Sequence, residues 1–125
     1  MRTSFIIVAA LLAVALPTAA LASRAPSRSE KKQLRSAVKA SKKPPKSVRR
    51  GHFKLRNARV STKGPWAKSS VLAGGVYNDP FNPVVGLFKR RHAHWKLVAL
   101  GTSRVGCSHP RAPRAVRKDL KLRCR

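Results

Sequence analysis

The residues best suited to chemistry are His92 and His94, which lie two positions apart among lysines. In an extended segment, residues two positions apart point to the same side. With Lys89 or Lys96 nearby, two such imidazoles could act as acid and base in the cleavage of RNA. The alternative is a solvated hairpin end, because a catalytic histidine normally needs an orienting partner. We predict no catalytic residue and keep a ribonuclease as the alternative function.

Metal and carboxylate chemistry find little support in the same sequence. A zinc site would need a third ligand beside the two histidines, and the candidates are His109 and Asp79. The acids of the chain are Glu30, Asp79 and Asp119, which suit a helix cap, a turn and the tail. A hydrolase with two carboxylates needs both in one cleft. With no Gly-x-Ser-x-Gly motif and no Gly-rich phosphate loop either, we expect neither metal nor cofactor.

The first 22 residues have the three-part build of a secretory signal peptide. Arg2 gives a positive start, and Phe5 to Leu16 is an unbroken apolar run. An uncleaved membrane anchor is the alternative, but this run is shorter than the roughly 20 residues that span a bilayer. The sequence therefore predicts a secreted, extracytoplasmic product, for which association with the cell envelope is one alternative.

Cleavage is predicted between Ala22 and Ser23, because small residues stand at the positions that signal peptidase recognises. A cut after Ala20 is the second choice. Export makes a disulfide between Cys107 and Cys124 the expected state. Closing a loop of about 16 residues stabilises a fold by on the order of 3 kcal/mol. A reactive or metal-bound pair is the alternative, but there is no Cys-x-x-Cys motif and no nearby acid.

Charge is the strongest compositional feature of the chain. It carries 29 lysines and arginines against three acids, for a formal net charge of +26, and cleavage would remove only Arg2 from these. Lysine accounts for 13 of the basic residues, so an arginine-rich codon bias does not explain the excess. Self-repulsion at this charge opposes folding. The excess therefore indicates selection for a cationic product.

We divide the chain into a signal peptide (1–22), a basic N-terminal helix with a proline-rich linker (23–50) and an α+β domain (51–125). Ser27 and Glu30 form a capping box that begins a helix, which we extend to about Lys43, before Pro44-Pro45. One narrow face of this helix, with Leu34 and Val38, can pack against the rest of the protein. The remaining face is either merely solvated or an anion-binding surface. The predicted anion-binding residues are Arg28, Lys31, Lys32, Arg35, Lys39, Lys42, Lys43, Lys46, Arg49, Arg50, Lys89, Arg90 and Arg91.

Four strands and a short helix are predicted after residue 51. Alternating apolar and polar residues predict a first strand around Phe53 and Leu55 that continues to Val60. The later elements are strands over Trp66 to Ala73, Val84 to Arg90 and His94 to Leu100, a tight turn at Arg91-His92-Ala93, and a helix over Pro113 to Leu120.

These elements predict an α+β fold: a small antiparallel sheet of three to four strands packed by one N-terminal helix, with a short disulfide-tethered C-terminal helix. We expect two layers around one shared core. That core is expected to contain Trp66, Leu72, Leu87, Trp95, Leu97 and Leu34.

Three groups of residues carry a resemblance to a known class of proteins. They are Trp66-Ala67 with Val71, the hairpin strand Trp95-Lys96-Leu97-Val98-x-x-Gly101-Thr102, and the tail Val105-Gly106-Cys107 with Pro113, Val116, Asp119-Leu120, Leu122 and Cys124. Together they resemble small secreted bacterial proteins of uncharacterised function, over roughly Val60 to Cys124. The hairpin alone is similar to strands of cystatin-like and nuclear-transport-factor-like domains. The resemblance implies a compact exported domain with a disulfide, and it implies no activity.

Taken together, the sequence predicts a secreted, non-enzymatic, monomeric basic protein that binds polyanions. The candidate partners are an anionic wall polymer, an acidic polysaccharide, anionic lipid head groups or extracellular nucleic acid. Release of counterions by lysine and arginine would drive such binding. Besides the ribonuclease, the alternative is a structural or inhibitory secreted module whose charge serves only solubility or retention.

Overall fold

The computed structural model describes residues 22–73, 84–102, 104–108 and 110–124. The predicted signal peptide up to residue 21, the loop over 74–83 with Asp79, and His109 lie outside the described residues. The described part confirms the predicted α+β class, with a four-stranded antiparallel sheet. The elements are α1 (Arg28–Ala40), α2 (Lys46–Arg50), β1 (Lys54–Val60), β2 (Trp66–Leu72), β3 (Val85–Arg91), β4 (His94–Gly101) and α3 (Arg114–Asp119).

Helix α1 begins at the predicted capping box. The Ser27 hydroxyl accepts from the Glu30 N–H at 3.2 Å, and the Glu30 carboxylate accepts from the Ser27 N–H at 2.9 Å. The helix ends at Ala40, earlier than predicted, and Ser41 is already extended. Proline disfavours helical backbone in the residue before it, so the chain leaves the helix ahead of Pro44. Lys42 therefore follows the helix instead of extending its cationic face.

Helix α2 was not predicted. The carbonyl of Pro45 begins it by accepting the N–H groups of Val48 and Arg49, both at 3.0 Å. Val48 is buried in the core, and it is the one apolar side chain of the helix. A single apolar residue gives no periodicity, so the sequence pattern could not indicate this turn of helix.

The sheet is a meander with strand order β1-β2-β3-β4. The turn between β3 and β4 contains two residues, His92 and Ala93, at φ 49° and 65°. Positive φ at both central residues is typical of the hairpin turns whose twist matches that of the strands. Arg91 does not lie in the turn, contrary to the prediction, and pairs with His94 at the end of the hairpin. A bulge in β1 lies next to Asn57, which has φ 52°.

The prediction of two layers around one core was wrong, because the sheet is covered on both faces. One face, with Phe88 and Leu97, packs against α1 and α2. The opposite face, with Trp66 and Leu87, packs against the C-terminal segment through Val116. Trp66 pairs with Lys89, whereas Trp95 pairs with Arg90. Neighbouring residues of β3 point to opposite faces, so the two tryptophans belong to different cores.

The N-terminal segment is docked on the sheet. Leu34 and Val38 of α1 are fully buried against the β4 side of the sheet. The backbone of Arg24 pairs with that of Val60 at the free edge of β1, through two hydrogen bonds of 2.9 and 2.7 Å. The Arg59 guanidinium donates to Ser23. Residues 23–40 thus form part of the same packed unit as the sheet.

The C-terminal segment is closed by the predicted disulfide between Cys107 and Cys124, whose Cα atoms are 5.5 Å apart. Gly106 has φ 80°, and a Cβ at this position would lie 2.9 Å from Leu122 and 3.0 Å from Leu87. Only glycine combines this backbone with such close approach. The segment is thereby held against the Trp66 face of the sheet.

Candidate anion-binding surface

The outer face of α1 presents a row of free cations. Four of the predicted residues lie on it with exposed side chains: Arg28, Lys31, Lys32 and Lys39. In the residues that the structure describes, the one ion pair joins Arg24 to Glu30. The α1 cations are therefore not neutralised by any described carboxylate. Because Leu34 and Val38 fix the opposite face of the helix, this row has a fixed orientation on the molecule.

Arg35, one of the predicted anion-binding residues, instead makes contacts within the fold. Its guanidinium donates to the carbonyl of Phe53 at 3.1 Å and lies 4.9 Å from the centre of the Phe53 ring. These contacts join α1 to the start of β1. The side chain is therefore already engaged, in contrast to the other α1 cations.

A basic groove lies between the C-terminal end of α1 and the edge strand β4. It is an open cleft of about 730 Å³. Its basic residues are Lys42, Lys43, His94 and Lys96, and its apolar lining consists of Ala37, Ala40, Trp95 and Leu97. The bend after Ala40 brings Lys42 and Lys43 to this cleft. The structure thus gathers two predicted residues with two that were not predicted as anion ligands.

The hairpin tip holds two of its three predicted cations on aromatic rings. The Lys89 ammonium lies 5.1 Å from the Trp66 ring centre, and the Arg90 guanidinium lies 5.7 Å from that of Trp95. Cation–π contacts of this kind contribute about 0.5–1 kcal/mol at exposed sites. Arg91 is exposed. The tip therefore offers one free guanidinium, at Arg91, and two other cations, the Lys89 ammonium and the Arg90 guanidinium, that are held in place on the two faces of the hairpin.

Helix α2 carries the remaining predicted residues. Lys46 and Arg50 are exposed, whereas Arg49 is half-buried. The Arg49 Nε is buried and has no hydrogen-bond partner in the part of the chain that the structure describes. Helix α2 follows the groove lysines directly along the chain. It adds positive charge next to them without adding an acid.

Both described carboxylates are engaged in holding the fold together. Burial raises the pKa of Asp119, but hydrogen bonds from Ser61 and from the N–H groups of Thr62 and Ser23 outweigh burial and lower the pKa below its ordinary value. The Ser61 hydroxyl lies 2.7 Å and the Thr62 nitrogen 2.8 Å from the carboxylate. The Arg24 guanidinium, which donates to both Glu30 oxygens, lowers the pKa of Glu30 from 4.5 to about 2.

Stability is expected to fall in acid through Glu30. Because the pKa is depressed in the folded state, the contribution of Glu30 is complete above about pH 4.5 and is lost as the pH falls towards about 2. Solvent screening limits this contribution to about 1 kcal/mol. Urea unfolding at intervals across this window should show the loss in the native protein and a smaller loss in Glu30→Gln. Identical pH profiles would contradict the assignment.

The geometry assumed for the two histidines was wrong. His92 lies in the turn with a positive φ, so His92 and His94 do not share an extended segment. Both are exposed, and His94 lies at the groove. In the described ranges, no group of three His, Cys, Asp or Glu side chains is arranged to hold a metal ion. The third ligands considered for zinc, His109 and Asp79, lie outside those ranges.

Sequence reasoning missed several basic residues that the fold places at clefts. Lys96 lies at the groove, and Arg104, Arg111 and Arg117 line a pocket beside the disulfide. Lys68 is half-buried, and burial, together with the charge of Lys121, lowers its pKa. Lys96 alternates with Trp95 and Leu97 in β4, which was a signal for an accessible position. The arginines come together only through the loop and disulfide, which no spacing reveals.

None of the helices in the described residues is long and apolar enough to cross a membrane. Comparison of the chain with family models, curated proteins and solved structures finds no match.

Proposed function

We propose that this chain is an exported, non-enzymatic protein that binds anionic polymers through the outer face of α1 and the basic groove. The observation that carries the proposal is the groove, in which Lys42 and Lys43 lie beside an apolar floor and Lys96 lies on the β4 edge that borders it. Clefts lined by one sign of charge over low-dielectric walls concentrate ions of the opposite sign.

An extended partner suits this surface better than a small ion. The free cations are spread along α1, around the groove, on α2 and at Arg91 of the hairpin tip. A small anion would contact only one of these places, whereas a polymer could contact several in succession. Each contact releases condensed counterions, so affinity grows with the number of cations engaged. Wall polymers, acidic polysaccharides, anionic lipid surfaces and nucleic acids all supply such arrays.

The proposal predicts strong, salt-dependent binding of polyanions, to which the lysines of the groove contribute more than other surface lysines. The groove variant is Lys42→Gln/Lys43→Gln/Lys96→Gln. The matched control is Lys54→Gln/Lys63→Gln/Lys118→Gln, which removes the same charge from exposed positions elsewhere. Duplex DNA serves as a defined polyanion, for which log K falls linearly with log salt. Each lost phosphate contact reduces the steepness of this fall by about 0.9. We expect a decrease of about 2 to 3 for the groove variant and less than about 1 for the control.

Retention on heparin at graded salt provides the general test. The native protein should remain bound above physiological ionic strength, and the groove variant should elute before the control. Elution of the native protein below physiological salt would contradict the proposal. Co-elution of the two variants would show that the groove contributes no more to binding than other surface lysines do. Hydrolysis of RNA by the mature protein, lost in His92→Ala/His94→Ala with folding intact, would favour the enzymatic alternative.

Export with cleavage between Ala22 and Ser23 is the second part of the proposal. The disulfide is compatible with an oxidising compartment. Ser23 and Arg24 make backbone and side-chain contacts to β1, so a product that begins at Ser23 keeps every one of these contacts. Mass spectrometry of the exported protein should give the mass of residues 23–125 with one disulfide. The mass of the full chain, or of a product cut after Ala20, would contradict the assignment.

A further inference from the structure

An open pocket of about 250 Å³ lies beside the disulfide and shares no residue with the groove. Three arginines from three different segments line it. Arg104 follows β4, Arg111 precedes α3, and Arg117 lies in the last turn of α3. The remaining lining residues are Ser108, Cys107 and Cys124.

Covalent and backbone bonds hold the three arginines in one frame. The Cys107 N–H donates to the Arg104 carbonyl at 3.1 Å, and the Leu122 N–H donates to the Arg117 carbonyl at 2.8 Å. Next to Arg111, the Ala112 N–H donates to the Gly106 carbonyl at 2.9 Å. The disulfide then joins the two segments at Cys107 and Cys124. The positions from which the guanidiniums extend are therefore fixed before any ligand arrives, which reduces the entropic cost of binding.

The positive charges around the pocket favour the binding of an anion. A guanidinium stays charged at any physiological pH, so three of them around one pocket repel each other. The Arg117 Nε is buried and has no hydrogen-bond partner among the described residues, so no described acceptor balances this guanidinium through that nitrogen. The described carboxylates cannot help, since Glu30 is bonded to Arg24 and Asp119 to Ser61.

We infer that this pocket binds a single phosphate group. Guanidinium forks match phosphate oxygens in pairs, and three forks suit a tetrahedral oxyanion better than a planar carboxylate with two oxygens. The Ser108 hydroxyl supplies a further donor. The volume is several times the roughly 30 Å³ that a water molecule occupies in the liquid, so the group can enter with part of its hydration. This is a discrete one-to-one site, and it does not depend on polymer binding by the groove.

Calorimetric titration of the oxidised protein with inorganic phosphate tests the inference. About 0.15 M salt shortens the screening length to about 8 Å and suppresses diffuse attraction. Arg104→Asn removes one guanidinium without backbone strain, because Arg104 has φ 56° and asparagine tolerates that region. Arg111→Gln removes another from an exposed side chain. The matched control is Arg114→Gln, which lies outside the pocket with the same loss of charge.

We expect saturable one-to-one binding. Arg104→Asn and Arg111→Gln should each weaken it at least tenfold, because each removes charge-assisted hydrogen bonds to the phosphate, whereas Arg114→Gln should weaken it less than about twofold. A parallel titration with glycerol 3-phosphate distinguishes free phosphate from a phosphomonoester of a larger molecule as the natural ligand. Absence of saturation with both ligands, or equal weakening in all three variants, would overturn the inference. Retention on heparin in those cases would leave the polymer proposal intact.

Discussion

Replacing Leu34 by alanine is expected to lower the free energy of unfolding by about 3 kcal/mol, within the range of 2–5 kcal/mol typical of buried leucines. Leu34 is fully buried between α1 and the sheet, and the cavity would lie at the contact that holds the helix. Ala37 and Ala40 of the same helix line the groove, so under the proposed function a loosened helix should also weaken the binding of polyanions. Urea unfolding followed by tryptophan fluorescence measures the first effect.

Gln33→Ala provides the matched control on the same helix. Gln33 is exposed, and alanine is a strong helix former, so stability should change by no more than about 0.5 kcal/mol. A loss below about 1 kcal/mol in Leu34→Ala would show that α1 contributes little to the fold. Two separate transitions in the native protein would show that the helix and the sheet do not unfold together.

Removal of the disulfide is the second large effect. In Cys107→Ser/Cys124→Ser, the free energy of unfolding should fall by about 3 kcal/mol, the chain-entropy value for a loop of this size, since the bond spans 17 positions. The affected segment carries Val116 and Leu120, which are fully buried against Trp66 and Leu87. Their packing is expected to loosen with the loop. Urea titrations of the oxidised native protein and of the double variant give the difference.

Reduction of the native protein gives an independent measure of the same quantity. A thiol reductant should lower its stability to that of the double variant and should leave the double variant unchanged. Equal stability of the oxidised and reduced native protein would mean that packing alone holds the C-terminal segment. A loss in the double variant on adding reductant would reveal an effect unrelated to this bond.

Much of the fold was predictable because local signals agreed with it. The capping box at Ser27 and Glu30 set the start of α1, and alternation around Trp95 and Leu97 set β4. Short-range rules govern both. The arrangement of layers was not predictable in this way. It depends on the register between β2 and β3, which places Trp66 beside Lys89, and a shift of one residue exchanges the two faces of a strand.

The candidate surface was predictable in part, for a related reason. The sequence indicated the cations of α1, whose spacing is a property of one helix. It could not indicate that Arg35 would be held by Phe53 or that Lys96 and Lys43 would border the same groove. Those contacts join positions far apart in the chain. Side-chain chemistry was therefore visible in the sequence, whereas its assembly into clefts required the tertiary structure.

The hydrogen bond from the Ser23 nitrogen to Asp119 would change in character if the chain were cut where we propose. In the full chain this nitrogen belongs to a neutral peptide group. Cleavage after Ala22 would turn it into a protonated α-amine, with an ordinary pKa of about 7.7–8.0, directly beside a carboxylate. A charge-assisted hydrogen bond is roughly twice as strong as a neutral one. If residues 1–22 are removed as proposed, the processed chain would therefore resist unfolding more strongly than the full chain does.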